Sequence, residues 1–362
     1  DNCDLGDLVP WLGLLTDLQA TILVLAGENS GDVHAAKVVA ELRGRNPKAR
    51  FLGMGGPNMK AQGVELFAEL GTLAVMGFSE VAPRMRYFLR LRRKVLALIH
   101  SESPDLVILV DYPGFNLPIA KAAHEQGCAV LYYIAPKVWA WNERRARTLA
   151  TVADAVAAIL PFEVDLLKEH GVNVEYVGHP LLDRATSIPS RNESFRAWGL
   201  DPARPLLGIL PGSRIQEVKR HLKPFIESAR VVVDRRPGVQ VLISQAPGLD
   251  DSHFRDLEFS VVRETPALLR WSDCVLTKSG TSSLETALER TPLVLAHRVN
   301  WLSGVLARLL LRTRYIGLPN LVAHQQIVPE VLQGEVTPEV IAPLLLELID
   351  EFSSVRIEQI QN

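Results

Sequence analysis

The chain has 362 residues, of which 48% are hydrophobic and 22% are charged, and its formal net charge is −2. This length favours two domains of ordinary size, and the near-neutral charge excludes a global field that would attract nucleic acid. The cysteines Cys3, Cys128 and Cys274 are far apart and form no CxxC pair, which favours a reducing cytoplasm and no disulfide framework. No segment has the run of apolar residues that predicts a membrane-spanning helix.

The first half of the chain alternates between apolar runs and helical stretches. Residues 1–20 are assigned to an N-terminal extension, and the alternation begins at residue 21. Short strands that alternate with helices predict a parallel sheet in an α/β fold. The predicted strands are TILVLAG, ARFLGMGG, DLVILVDY, AVLYYIAP, AVAAILPF and VEYVGH.

A stretch rich in Pro, Ser and charge, GHPLLDRATSIPSRNESFRAWGLDPARP, interrupts this pattern, and we place a domain boundary there, between 21–183 and 184–362. The pattern then restarts. We therefore predict an α/β protein of two Rossmann-like doubly wound domains facing across a cleft, with ligands at the carboxyl ends of the strands. The strands of the second domain are LLGILPG, VQVLISQAP, LEFSVVRE, CVLTKSG and PLVLAHR.

Two motifs follow strands of the first domain. In VLAGENSGDVHAAKVV, Gly27 and Gly31 allow a tight turn while Ser30 and Asp32 are placed to cap the next helix. The motif matches neither GxGxxG nor a P-loop, so it is either a capped helix start or a backbone nest facing a ligand. In LVILVDYPGFN, Asp111 directly follows a strand. It is placed to act as a general base towards a hydroxyl, or else as a turn-capping aspartate.

Two loops of the second domain suit a diphosphate. In LLGILPGSRIQEV, Arg214 lies beside Gly212 and Ser213, where its guanidinium can hold a pyrophosphate with Glu217 orienting it. In CVLTKSGTSSLETALER, small residues separate a strand from a helix whose first N–H groups suit a phosphate, although an ordinary N-cap explains them too. We predict that both loops converge on one diphosphate. The small residues are Ser279, Gly280, Thr281, Ser282 and Ser283.

Two stretches, RMRYFLRLRRKVLAL and NWLSGVLARLLLRTR, combine basic with apolar residues. Such a combination suits an anionic membrane surface, although a solvated face over an ordinary core is equally compatible. No histidine or cysteine cluster has metal-ligand spacing, so no metal site is predicted. The residues of the predicted membrane patch are Arg86, Arg90, Arg93, Lys94, Trp301, Arg308 and Arg312.

The motifs together, in this order along the chain, resemble those of the lipid-A-disaccharide synthase family of bacterial glycosyltransferases. The resemblance runs from about residue 21 to 335 and implies a GT-B type fold, no cofactor and no metal. It implies condensation of UDP-2,3-diacylglucosamine with 2,3-diacylglucosamine 1-phosphate, with inversion, by an enzyme peripheral on the cytoplasmic face of the inner membrane. The oligomeric state, including a homodimer, is left open. The matching motifs are AGENSGD, GMGGPNMKAQGVE, LAVMGFSEV, VDYPGFN, YYIAPKVWAW, ILPFE, VGHPLLD, LPGSR, SGTSSLE and YIGLPNLVA.

The resemblance also implies roles for individual residues. Asp111 is the base on the acceptor 6-hydroxyl, and Arg214 stabilises the UDP leaving group. The run from Ser279 to Ser283 holds the diphosphate. The remaining implied residues are Glu285 at the ribose, Asn320 at the donor, and Glu28, Ser30 and Asn116 on the acceptor side.

Two other functions remain open from the sequence. A UDP-N-acetylglucosamine 2-epimerase would also hold UDP with its second domain, but it needs extra acid–base groups and no lipid-binding surface. A relative that binds nucleotide sugar without turnover is the second alternative. Release of UDP that depends on an acylated acceptor distinguishes the transferase from both.

Overall fold

The computed structural model describes residues 19–69, 81–138, 144–183, 187–299 and 314–361, with the backbone alone described for 81–85 and 352–361. The chain divides into two compact units with the boundary between residues 183 and 184. Residues 1–18 of the predicted N-terminal extension (1–20) lie outside the described residues, as do the patch residues Trp301, Arg308 and Arg312.

The first unit contains a parallel sheet of seven strands in the order β3-β2-β1-β4-β5-β6-β7. The strand order reverses direction between β1 and β4, which is the position where open α/β sheets bind ligands. The strands are β1 (Thr21–Ala26), β2 (Arg50–Gly55), β3 (Glu65–Glu69), β4 (Leu106–Val110), β5 (Ala129–Tyr133), β6 (Ala155–Ala158) and β7 (Val174–Tyr176).

Helices cover both faces of this sheet. The central strands are almost wholly buried, as β4 shows with five buried residues in succession, and a parallel sheet covered on both faces requires this. Separate apolar clusters fill the two faces, with Tyr132 in one and Ile108 in the other. The helices are α1 (Asn29–Arg45), α2 (Pro57–Ala61), α3 (Val81–Glu102), α4 (Pro113–Glu125), α5 (Arg144–Val152) and α6 (Pro161–Glu169).

The second unit has a parallel sheet of six strands in the order β10-β9-β8-β11-β12-β13. Its central pair, β8 and β11, again marks the reversal of strand order. The strands are β8 (Leu206–Leu210), β9 (Gln240–Ser244), β10 (Ser260–Val262), β11 (Cys274–Lys278), β12 (Leu293–His297) and β13 (Glu330–Leu332).

Two apolar clusters pack on the faces of the second sheet, one of them around Phe225 and the other around Phe195. The free thiol of Cys274 is buried in the cluster around Phe225. The helices are α7 (Arg191–Trp198), α8 (Ile215–Arg235), α9 (Thr265–Trp271), α10 (Thr281–Leu288), α11 (Leu318–Val322) and α12 (Pro338–Gln361).

The predicted α/β class and its parallel sheets are confirmed, but two edge strands were not predicted. The strands β3 and β13 lie at the margins of their sheets, and β13 has only three residues. β3 carries Glu65 and Glu69 at its ends and only half-buried residues between them, so it lacks the apolar run typical of a buried strand.

The prediction that Asp32 caps its own helix is wrong. Its buried carboxylate instead accepts hydrogen bonds from the N–H groups of Gly56, Asn58 and Met59 at 2.7–3.0 Å, and so caps α2. Asp32 thereby joins the loop after β2 to the loop after β1. The N-cap of α1 is Glu28, which makes no side-chain capping bond.

Candidate active site

The carboxyl edge of the first sheet places Asp111 beside the loop that carries Glu28. β1 and β4 pair directly, with Ala26 opposite Val110, so these loops leave neighbouring strands. Gly27 is needed here, because a Cβ at this position would lie 2.3 Å from the Tyr112 ring. Glu28 and Ser30 are both exposed, and their acceptor-side role stays a prediction.

Asp111 occupies a strained turn between β4 and α4. Asp111 and Tyr112 have φ angles of 47° and 48°, and Ile134, which follows the neighbouring strand β5, has a φ of 65°. Positive φ is unfavourable for non-glycine residues and unusual for a β-branched one. Such strain concentrates at functional sites. After this turn the chain enters α4 directly, with Pro113 in the first turn of the helix.

Asn116 does not line the acceptor side as predicted. Its side chain is completely buried, and Nδ2 donates to the carbonyl oxygens of Val110 and Asp111 at 3.3 and 2.8 Å. Asn116 therefore holds the main chain of Asp111 from within the protein interior and does not face solvent.

The two loops predicted to hold a diphosphate leave neighbouring strands of the second sheet. β8 pairs with β11, with Leu210 opposite Thr277, so the loops beginning at Pro211 and Ser279 start side by side. Gly212 has a φ of 131°, and a Cβ there would lie 2.5 Å from Glu217 Cβ. Only glycine fits this position.

One carboxylate joins the two loops. Glu217, in the first turn of α8, accepts hydrogen bonds through Oε2 from the N–H groups of Ser213 and Arg214 at 3.1 and 3.3 Å. Its Oε1 accepts a 2.9 Å hydrogen bond from Nζ of Lys278. Burial raises the pKa of Glu217, but the Lys278 ammonium and the Ser213 N–H outweigh burial and lower it below its usual value. Glu217 therefore stays ionised.

The small residues after β11 divide into inner and outer members. Ser279 and Ser283 are buried, and their hydroxyl groups donate to the carbonyl oxygens of Ile316 and Gly280. Thr281 is exposed and Ser282 is half-buried in the first turn of α10. Gly280, the N-cap, provides no side-chain capping bond, so this helix start suits an anion.

Asn320 does not face the donor through its amide. It is completely buried, and Nδ2 donates to the Val328 carbonyl and to Glu330 at 2.9 and 2.8 Å. Its Oδ1 accepts from the N–H groups of Ile327 and Val328. Every hydrogen-bonding position of this amide is therefore used within the protein, which corrects the predicted donor contact. Glu285 is half-buried in α10, and its ribose role stays a prediction.

Lys278 and His297 were not singled out from the sequence, although both stand at the carboxyl ends of predicted strands. Lys278 ends β11 and His297 ends the adjacent β12. Burial, followed by the charge of Lys278, lowers the pKa of His297 to about 4. The sequence did contain a signal for both residues, because each is a chemically active residue at the end of an apolar run that predicts a strand.

His221 is a neutral histidine that forms hydrogen bonds at the same carboxyl edge of the second sheet. Its Nδ1 lies 2.8 Å from the Glu217 carbonyl oxygen, and Nε2 accepts from the N–H of Arg298 at 3.0 Å. These partners place the proton on Nδ1. Burial is the main cause that lowers the pKa of His221, so two neutral imidazoles lie close to the Lys278 charge.

We expect His297 to make stability pH-dependent between its unfolded pKa of 6.5 and its folded pKa of about 4. In this window the unfolded chain binds a proton that the folded chain does not, so the free energy of unfolding falls as pH is lowered. The full loss is ~3 kcal/mol. Urea unfolding at pH 7.5 and 4.5 should show a smaller drop for His297→Gln than for wild type.

The matched control is His100→Gln, which replaces an exposed histidine near the end of α3. This variant should keep the wild-type pH dependence. Equal drops for wild type and His297→Gln would contradict the prediction, because Lys278, His221 and Glu217, the charged or titratable neighbours of the ring, remain in both proteins.

The four predicted patch residues that lie on α3 are all exposed, namely Arg86, Arg90, Arg93 and Lys94. Lys94 Nζ also donates to the Phe67 carbonyl at 2.8 Å. On the opposite side, Leu91 and Val95 belong to the core. The arrangement is a charged face over an ordinary core, which leaves the membrane interpretation a prediction. None of the described helices combines the length and apolar character needed to cross a bilayer.

The fold places the chain in the GT-B-like class shared by glycosyltransferases and sugar-nucleotide epimerases. The glycotransferase of kitacinnamycin aligns with a TM-score of 0.60 at 16% identity, covering 92% of this chain and 93% of the other. The UDP-GlcNAc 2-epimerase from Neisseria meningitidis bound to UDP-GlcNAc aligns with a TM-score of 0.61 at 13% identity, covering 94% and 99%. At these identities the likeness concerns the fold alone.

Sequence comparison gives the family. The profile described as Lipid-A-disaccharide synthetase matches residues 22–362. The lipid-A-disaccharide synthase of Syntrophus aciditrophicus (strain SB) is 40% identical over 341 residues, covering 91% of this chain and 88% of that protein. That of Myxococcus xanthus (strain DK1622) is 41% identical over 329 residues, covering 89% and 86%. The chain belongs to the lipid-A-disaccharide synthase family and is a glycosyltransferase of lipid A biosynthesis.

Proposed function

We propose that the chain condenses UDP-2,3-diacylglucosamine with 2,3-diacylglucosamine 1-phosphate, forming a β-1,6-linked disaccharide 1-phosphate and UDP. Family membership supports the reaction class. The observation that carries the donor assignment is the pair of loops after β8 and β11, which Glu217 joins through hydrogen bonds to Ser213, Arg214 and Lys278. Two converging loops with cationic side chains and a helix N-terminus match the charge of a diphosphate.

On the donor side, we assign the diphosphate to Gly212, Arg214, Lys278 and the first turn of α10. Arg214 is exposed at the N-cap of α8, where its planar guanidinium can hold two phosphate oxygens. Thr281 and Ser282 provide N–H and hydroxyl donors. Glu285, one turn further along α10, is assigned to the ribose, while the buried Ser279, Ser283 and Asn320 shape the loops that make these contacts.

On the acceptor side, we assign Asp111 as the general base, with Glu28 and Ser30 on the same edge of the sheet. The Asp111 carboxylate removes the proton from the acceptor 6-hydroxyl while the oxygen of that hydroxyl attacks the anomeric carbon of the donor. The bond from that carbon to the diphosphate oxygen breaks with its electron pair, which inverts the anomeric centre. Arg214 and Lys278 stabilise the negative charge that develops on UDP.

The deciding experiment measures UDP release from UDP-2,3-diacylglucosamine with and without 2,3-diacylglucosamine 1-phosphate. Release that requires the acceptor, together with a disaccharide product seen by mass spectrometry, is expected. Release without acceptor would indicate that water takes the sugar and the donor is hydrolysed, and conversion of UDP-N-acetylglucosamine to its 2-epimer would indicate an epimerase. UDP binding without release would indicate a protein that holds the nucleotide sugar without turnover.

Because both sugars carry acyl chains, we also propose that the enzyme works peripherally on an anionic membrane, docking through α3. Each basic residue at such a surface contributes ~1 kcal/mol, so Arg90→Gln with Arg93→Gln should weaken binding about 30-fold. Sedimentation with phosphatidylglycerol-containing vesicles measures this.

The control for vesicle binding is Lys121→Gln with Lys168→Gln, which removes two exposed positive charges from α4 and α6. This pair should bind the vesicles as wild type does. Equal weakening by both pairs would show that only net charge matters, and binding that survives loss of Arg90 and Arg93 would exclude α3 as the docking surface.

A further inference from the structure

The turn at Asp111 is held by side chains that the proposed mechanism does not use. The Asp111 carbonyl oxygen accepts hydrogen bonds from Tyr132 Oη at 2.7 Å and from Asn116 Nδ2 at 2.8 Å. Its N–H donates to the carbonyl oxygen of Tyr133 at 3.0 Å. Three hydrogen bonds from two neighbouring elements therefore fix the two peptide groups that flank the Asp111 Cα.

We infer that Tyr132 and Asn116 are positioning residues of the transfer reaction, which hold the left-handed turn from which the Asp111 side chain projects. This inference rests on the proposed role of Asp111. Neither side chain has to touch substrate, because both act on the Asp111 carbonyl.

The strain of the turn explains why it needs support. A left-handed conformation is unfavourable for non-glycine residues, and Asp111 and Tyr112 adopt it in succession. Such conformations persist only where the surroundings over-determine them. Without the two donors, the peptide would relax towards ordinary helical or extended geometry and the carboxylate would move with it.

Both donors to the Asp111 carbonyl are buried, so water cannot take their place if one is removed. Tyr132 and Asn116 are completely buried, so removing either donor leaves the Asp111 carbonyl short of a partner. Burial, together with the Asp111 charge, raises the pKa of Tyr132 well above its ordinary value, so the hydroxyl remains a donor.

Asn116, like Tyr132, acts here as a hydrogen-bond donor. Its Nδ2 serves two carbonyl groups, while its buried Oδ1 has no partner among the described residues. An unsatisfied buried oxygen is costly, and native structures keep few of them. The amide is thus arranged to donate to Val110 and Asp111, although its own acceptor is left unused.

The test is Tyr132→Phe, which removes one hydroxyl from a buried ring. We expect kcat for acceptor-dependent UDP release to fall about tenfold or more, because a small misplacement of a reacting group strongly lowers the rate of the chemical step. KM for both sugars and the affinity for UDP should change less than twofold, since the binding groups are intact. Tyr176→Phe is the control, because Tyr176 is an exposed tyrosine of the edge strand β7, and it should retain wild-type kcat.

The decisive readout is a double-mutant cycle with Asp111→Asn. If Tyr132 acts through Asp111, Tyr132→Phe should cause little further loss of kcat in the Asp111→Asn protein. An equal loss in both backgrounds, or an unchanged kcat in the single variant, would overturn the inference. Failure of Asp111→Asn to reduce wild-type kcat would instead count against the proposed base.

Asn116→Ala provides a second route if Tyr132→Phe does not fold. It should reproduce the loss in kcat with unchanged KM and the same lack of additivity with Asp111→Asn. Thermal unfolding identifies variants that are folded at the assay temperature, and only those enter the cycle. A folded Asn116→Ala protein with wild-type kcat would overturn the assignment of Asn116.

Discussion

Replacing Asp111 with asparagine is expected to reduce acceptor-dependent UDP release by about 10²–10⁴-fold, the usual contribution of a general base. The amide keeps the size of the side chain and removes its ability to take the proton from the acceptor hydroxyl. The affinity for UDP should stay at the wild-type value, because the loops assigned to the diphosphate belong to the second unit. Initial rates of UDP release and calorimetric titration with UDP measure the two quantities.

The control for this substitution is Asp165→Asn, which changes an exposed aspartate on α6 and should leave both quantities unaltered. A loss of UDP affinity in Asp111→Asn would show that the variant is misfolded or that Asp111 contacts the donor. Unreduced turnover would remove Asp111 from the reaction.

The second large effect is expected for Arg214→Ala, with a fall in kcat of about 10²–10³-fold, similar to the loss of other groups that stabilise developing charge. Arg214→Lys should recover part of the rate only, because lysine keeps the charge but cannot hold two phosphate oxygens in one plane. UDP affinity should fall less than kcat, since more charge develops on the leaving group in the transition state.

Lys223→Ala serves as the control for Arg214, since it removes a positive charge from α8 at an exposed position. Unfolding in urea should be similar for all three variants, because Arg214 is also exposed. If kcat and UDP affinity fall by the same factor in Arg214→Ala, the guanidinium contributes uniform binding and has no special role in the transition state.

The alternation of apolar and helical stretches was sufficient to predict the two parallel sheets, because strands buried on both faces are continuously apolar. The same rule overlooked β3, whose exposed ends are Glu65 and Glu69. It also misassigned Asp32, because a carboxylate at the start of one helix has the same local pattern whether it caps that helix or, as here, a helix 24 residues further on.

The site was partly predictable for a related reason. Sequence position after a strand located Asp111, Arg214 and the small residues, since the carboxyl edge of a parallel sheet gathers such residues. Asn116 and Asn320 were assigned to ligands from the family resemblance, which does not show whether a side chain faces outward or inward. The left-handed Ile134 also lacks a sequence signal, because glycine is the usual residue at positive φ.

The Glu217 carboxylate has a consequence for the end of each catalytic cycle. It already engages Lys278 and the N–H groups of Ser213 and Arg214. If Lys278 holds the UDP diphosphate as proposed, the diphosphate must compete there with the Glu217 carboxylate, and we expect this competition to limit how tightly UDP is held after transfer. After UDP leaves, Glu217 would accept the Lys278 hydrogen bond again, and the empty loops would keep their shape.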